Sequence, residues 1–109
     1  MKNQTSVSFQ TSCGLLQKLV DTAERKSREN LKQFGGRLVL IEGGGYEKIW
    51  LETQSMGGEM YVKWYFVSGI HNQLIFKENQ RADGRTPGSV ACEDWKIIPQ
   101  LNQFQGFCF

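Results

Sequence analysis

Six carboxylates fall on segments that read as loops or helix ends: Glu42, Glu47, Glu52, Glu59, Glu78 and Asp83. Cleavage of a glycosidic bond needs two carboxyl groups, one protonated and one ionised. Acids are common in any domain, so their number decides nothing; their neighbours say more. Trp50 and Glu52 flank Leu51, with Gln54 two residues on, and Asp83 and Arg85 flank Gly84. An aromatic ring suits the C–H face of a sugar, and carboxylate, amide and guanidinium groups suit its hydroxyls. The plain alternative is that Arg81, Asp83 and Arg85 brace a turn among themselves while Trp50 sits in the core. Composition weighs the two readings equally.

Other chemistries find less to work with. His71 is the single histidine. A zinc site needs three or four ligands, and no second histidine or suitably spaced cysteine accompanies it. A Ser-His-Asp arrangement would require His71 to leave the face of a helix, and packing is the simpler role. Gly43-Gly44-Gly45 lacks both the Gly-Lys-Ser/Thr ending of a P-loop and the spacing of a dinucleotide fingerprint, so it reads as a turn. No metal and no organic cofactor is expected. Cys13, Cys92 and Cys108 form an odd set without close pairs, which points to reduced thiols and a cytoplasmic setting.

The chain has 109 residues, near the usual size of one domain, with 39% apolar and 22% charged residues. Thirteen Lys and Arg against eleven Asp and Glu leave a net charge of +2, and the basic residues are scattered. That argues against a nucleic-acid partner. No apolar run approaches the roughly 20 residues that span a bilayer, and the opening residues lack the apolar core of a secretory signal.

These side chains need elements to position them. Leu15, Leu16, Leu19, Val20, Ala23, Leu31 and Phe34 recur at near-helical spacing and predict a helix over about 12–34. Thr11 or Ser12 would cap its start and Gly35-Gly36 its end. A loop with short strands follows over 37–55, with apolar runs at Leu38–Ile41 and Ile49–Leu51 on either side of the glycines. A second helix is predicted over about 58–80. Its first half, Met60–Val67, is apolar nearly all round, so it calls for burial on most sides. Residues 81–109 read as a loop and tail, with Asp83-Gly84 and Pro87-Gly88 as turn signals. The aromatic ending through Phe107 and Phe109 reads as a chain cut in mid-element.

Two stretches resemble bacterial six-hairpin glycosidases. They are Trp50–Tyr61, and Asn72–Phe76 followed by Gln80-Arg81-Ala82-Asp83-Gly84-Arg85-Thr86-Pro87-Gly88. The resemblance implies a mainly α fold in which two long helices form one hairpin of an (α/α)6 toroid. Residues 1–109 would then be part of such a catalytic domain. It implies hydrolysis of oligosaccharides by carboxylate acid/base chemistry, with the chain inactive or nearly so by itself. Trp50, Glu52, Gln54, Asp83 and Arg85 would line the substrate cleft, Glu52 being the catalytic candidate. The competing expectation is a non-catalytic carbohydrate-binding or protein-interaction module. A carbohydrate is the expected partner, with no membrane partner, and self-association through an exposed apolar helix face is a further option.

Overall fold

The computed structural model describes residues 8–100. It contains three helices and five strands: α1 (Gly14–Glu29), β1 (Leu31–Phe34), β2 (Arg37–Leu40), β3 (Lys48–Trp50), α2 (Leu51–Trp64), α3 (Phe66–Glu78), β4 (Ser89–Glu93) and β5 (Lys96–Pro99). With 46% helix and 24% strand, this is an α/β mixture with two small antiparallel sheets. The mainly α expectation, with one hairpin of an (α/α)6 toroid, is therefore corrected. Among the described residues no helix is long and apolar enough to cross a membrane.

The first correction lies at the end of α1. The helix stops at Glu29, and Leu31–Phe34 turn into a strand that pairs with β2, Phe34 opposite Arg37. Gly35 and Gly36 do not cap a helix. They form a two-residue hairpin loop with φ of 56° and 88°, the doubly positive pattern that matches strand twist. Leu31 and Phe34 are three apart, which fits either a helix face or the two ends of a short strand. The start differs too. Cys13 occupies the cap position without a side-chain bond, while the Thr11 hydroxyl accepts from the Cys13 N–H at 3.2 Å.

The predicted helix over 58–80 is two helices. Tyr65, at φ −138° and ψ 76°, breaks it, and α2 begins seven residues earlier, at Leu51. The halves fold back on each other, so Gly69 lies against Val62 and Gly58 against Gln73. An isolated helix that is apolar all round cannot bury every side; doubling back lets each half cover part of the other. The remaining cover comes from the sheets. Ile75 and Phe76 of α3 join Phe34, Val39, Ile41, Ile49, Leu51 and Val90 in one core. α2 is less enclosed, and Met60 stays 54% exposed.

Of the loop and tail expected over 81–109, residues 81–100 are a braced turn and a hairpin, and residues 101–109 lie outside the described residues. β4 pairs with β3 on one side and β5 on the other. The β4–β5 hairpin turns through Asp94 and Trp95, at φ 48° and 67°. A bulky residue in this left-handed region is strained. Trp95 is also 68% exposed, so little burial offsets that strain. Trp95→Gly is expected to stabilise the fold by about 1 kcal/mol. Thermal unfolding should show a midpoint raised by roughly 4–8 °C.

On the outer edge of β2 the peptide groups find no partner strand. The Ile41 N–H donates to the Asn30 carbonyl at 2.9 Å, so in this register the peptide groups of Leu38 and Leu40 point away from β1. α3 meets them with side chains. The Asn72 amide accepts from the Leu40 N–H at 3.1 Å and donates to the Leu40 carbonyl at 2.9 Å. His71 Nδ1 lies 2.9 Å from the Leu38 carbonyl, and Arg37 pairs with Glu78 at 2.6 Å. His71 is thereby a packing residue, as its lone position in a helix suggested.

Candidate functional site

The junction from β3 into α2 is fixed on both sides. The Leu51 N–H donates to the Gly88 carbonyl at 2.9 Å. Gln54 Nε2 donates back to the Trp50 carbonyl at 3.0 Å. Asn72, already holding Leu40, also donates to Gln54 Oε1 at 3.1 Å. A buried chain of amides thus runs from β2 through α3 and α2 to the end of β3, and fixes the backbone that carries Trp50.

A second segment reaches the same place. Glu42 follows β2, its N–H bound to the Lys48 carbonyl at 3.1 Å. Gly43, Gly44 and Gly45 all have positive φ. The Tyr46 N–H closes on the Gly43 carbonyl at 3.0 Å, so the chain reverses tightly and returns Tyr46 opposite Gly43. Gly43 is also confined, since a Cβ there would lie 2.6 Å from the Asn30 side chain.

Together these segments line a hollow of about 340 Å³ formed by Glu42, Tyr46, Trp50, Glu52 and Thr53. Tyr46 is 62% exposed, and Trp50 is half-buried. Glu52 stands in the first turn of α2, where the partial positive charge of the helix start favours a carboxylate. Two carboxylates and two aromatic rings around an open hollow can receive a polyhydroxylated ring, with hydrogen bonds at its edge and contact on its apolar face.

A neighbouring cavity of about 350 Å³ lies between α1 and α2. Tyr61 is on its wall, and its phenol is held above the ordinary range by burial first and by the negative charge of Glu42 second. Tyr65 lies on the same wall. Burial raises its phenol, with a smaller push from Glu24, against the opposing effects of Arg28 and a hydrogen bond from Ser27.

The sequence-derived site is therefore divided. Trp50 and Glu52 come together. Gln54 is buried beneath them as a positioning residue and does not face the hollow. Asp83 and Arg85 do not line it. Asp83 pairs with Arg81 at 2.8 Å and accepts from the Arg85 N–H at 3.2 Å. The Arg81 N–H reaches the Arg85 carbonyl at 2.8 Å. This is the self-braced turn weighed as the alternative. Tyr46 and Thr53 were missed, and Glu42 was weighed only among the acids. The glycine triplet signalled a tight reversal, but that reversal pairs Gly43 with Tyr46, and Glu42 is placed by its bond to Lys48. Among the described residues no group of three His, Cys, Asp or Glu gathers as metal ligands would.

Comparison with protein-family models, with curated proteins and with solved structures finds no match to this chain.

Proposed function

We propose that this chain is part of a glycoside hydrolase acting on oligosaccharides, and that a sugar binds in the hollow around Trp50 and Glu52. The observation that carries this reading is the meeting of Glu42 and Glu52 with Tyr46 and Trp50, from two separate segments, at one hollow. One carboxyl would protonate the leaving oxygen, and the other would activate water or attack the anomeric carbon. Tyr46 and Trp50 would be the platform for the ring. The chain alone is expected to bind sugar with little or no turnover.

The openness of the hollow favours a second reading, a carbohydrate-binding module without catalysis. Calorimetric titration with a panel of oligosaccharides tests the shared part. Binding on the order of millimolar is expected for a hollow that covers one face of a ring. Tyr46→Ala should weaken it roughly five- to twelvefold, losing a stacked aromatic of roughly 1–1.5 kcal/mol. Asp83→Asn, outside the hollow, should leave it unchanged. Absence of binding, or equal loss in both variants, would overturn the proposal. An assay for released reducing ends tests the hydrolase reading against the module: release that Glu52→Gln abolishes supports hydrolysis, whereas binding without release is expected of this chain under both.

A further inference from the structure

The hollow around Trp50 and Glu52 carries two kinds of group at once. Glu42 and Glu52 bring carboxylates, and Tyr46 and Trp50 bring aromatic faces. No Lys or Arg is among the described residues that line it. Lys48, two residues before Trp50, stands outside the lining. The backbone under each acid is fixed. The Glu42 N–H donates to the Lys48 carbonyl at 3.1 Å. Glu52 stands in the first turn of α2, where the helix start favours its ionised form. A hydrolase would hold one of the two carboxyls protonated and the other ionised, and a binding module would leave both ionised. The hollow is anionic under either reading.

A neutral hydroxylated ring does not require that combination. Its hydroxyls both donate and accept, so amides would serve it as well as acids. An ionised carboxylate only accepts, and two of them favour a ligand rich in donors that also carries positive charge. The aromatic rings act in the same direction, because the negative face of a π system attracts an ammonium within about 6 Å of its centre. A sugar bearing its own carboxylate is repelled by the same two acids. Carboxylates and rings come from different segments: Glu42 follows β2, Tyr46 closes the glycine turn, Trp50 ends β3 and Glu52 opens α2. They meet around one space of about 340 Å³. An ammonium on the sugar ring is the group that draws on both sets together.

We infer that the sugar class of this site is an amino sugar, its ammonium drawn by Glu42 and Glu52 and its ring laid against the aromatic faces of Tyr46 and Trp50. This rests on the carbohydrate reading proposed above and narrows it to basic glycosides. The N-acetylated form of the same sugar keeps the ring and its hydroxyls but loses the charge, so it does not share the preference.

Calorimetry at about pH 6, where an amine is protonated and an ordinary glutamate ionised, tests the inference. The probes are the methyl glycosides of glucosamine, galactosamine and mannosamine, their N-acetyl forms, the methyl glycosides of glucose, galactose and mannose, and tetramethylammonium. For the configuration that binds, the amino glycoside should bind roughly three- to thirtyfold more tightly than its neutral counterparts, the joint effect of an exposed ion pair and a cation–π contact. Added salt should shrink that ratio by screening the charges. Glu42→Gln and Glu52→Gln, which keep the shape of the side chain, should each lower the ratio roughly two- to fivefold. Asp83→Asn, outside the hollow, should leave the ratio unchanged. Equal binding of amino and neutral glycosides overturns this inference and leaves the carbohydrate reading standing. Failure of every glycoside to bind overturns both. A preference that survives both glutamate substitutions overturns it by placing the ammonium elsewhere. Tetramethylammonium binding as tightly as the amino glycoside overturns it by making the hollow a site for organic cations at large.

Discussion

Asn72→Ala is expected to destabilise the protein by about 3–4 kcal/mol, a large part of the total stability of a domain this size. The side chain is fully buried and makes three hydrogen bonds: two with the Leu40 peptide and one with Gln54. Truncation leaves a backbone N–H, a backbone carbonyl and an amide oxygen without their partner in a dry interior. Each orphaned group costs roughly 1–3 kcal/mol. Some relaxation, or a water entering the space left by the amide, keeps the sum toward the lower end. Urea unfolding should show the midpoint falling steeply with little change of slope. Asn72→Asp is a sharper test of the same geometry. Its carboxylate can still accept from the Leu40 N–H, but it faces the Leu40 carbonyl and Gln54 Oε1 with no proton to give. It should be at least as damaging at neutral pH, and it should recover part of the loss as the pH falls and the carboxyl regains an O–H. Similar stabilities for Asn72→Ala and the wild-type chain would remove the amide chain from the account of the fold.

Gly69→Ala is the second large effect, and its sign opposes helix propensity. In an open helical position the substitution gains about 1 kcal/mol. Here a Cβ would lie 2.8 Å from Val62 Cγ2, 3.0 Å from the Val62 nitrogen and 3.1 Å from its Cα. Two of those atoms are backbone, so no rotamer change relieves the clash. α3 must move away from α2, and overpacking of this kind costs roughly 1–3 kcal/mol. Set against that gain, a net loss of about 1 kcal/mol, and up to about 2, is expected in thermal or urea unfolding. Gly57→Ala provides the control. It stands in α2 with the Tyr61 ring 3.7 Å away as its nearest contact, so it should gain about 0.5–1 kcal/mol. If the two alanines shifted stability alike, the close approach of the helices at Gly69 would not exist.

Gly69 also shows where the sequence was legible and where it was not. Helical spacing in 12–34 and 58–80 located helix-forming stretches. It could not show that the second stretch doubles back at Tyr65, because the residues on both sides of the break are equally apolar. A glycine that weakens a continuous helix is the residue that lets two helices touch. The same ambiguity governs Gly35-Gly36: two glycines after an apolar helix fit a cap, and their φ angles make a hairpin loop instead. Propensity could not choose, because the choice depends on β2 being present to pair with Leu31–Phe34. In the candidate site, Trp50 and Glu52 were close in sequence and stayed close in space. Glu42 and Tyr46 arrive through the pairing of Glu42 with Lys48 across a glycine turn, a contact that residue types alone do not specify. Asp83 and Arg85 had the right chemistry, but their partners are their own neighbours.

His71 and Asn72 have a consequence beyond stability. A short two-stranded hairpin normally offers its free edge as a template on which another chain can lay a strand. Here adjacent side chains of α3 occupy the peptide groups of Leu38 and Leu40 that a newcomer would need. The helix serves as a counterfeit third strand, complete enough to close the edge and too short to be extended. A newcomer strand approaching β2 would find the Leu40 peptide and the Leu38 carbonyl already taken.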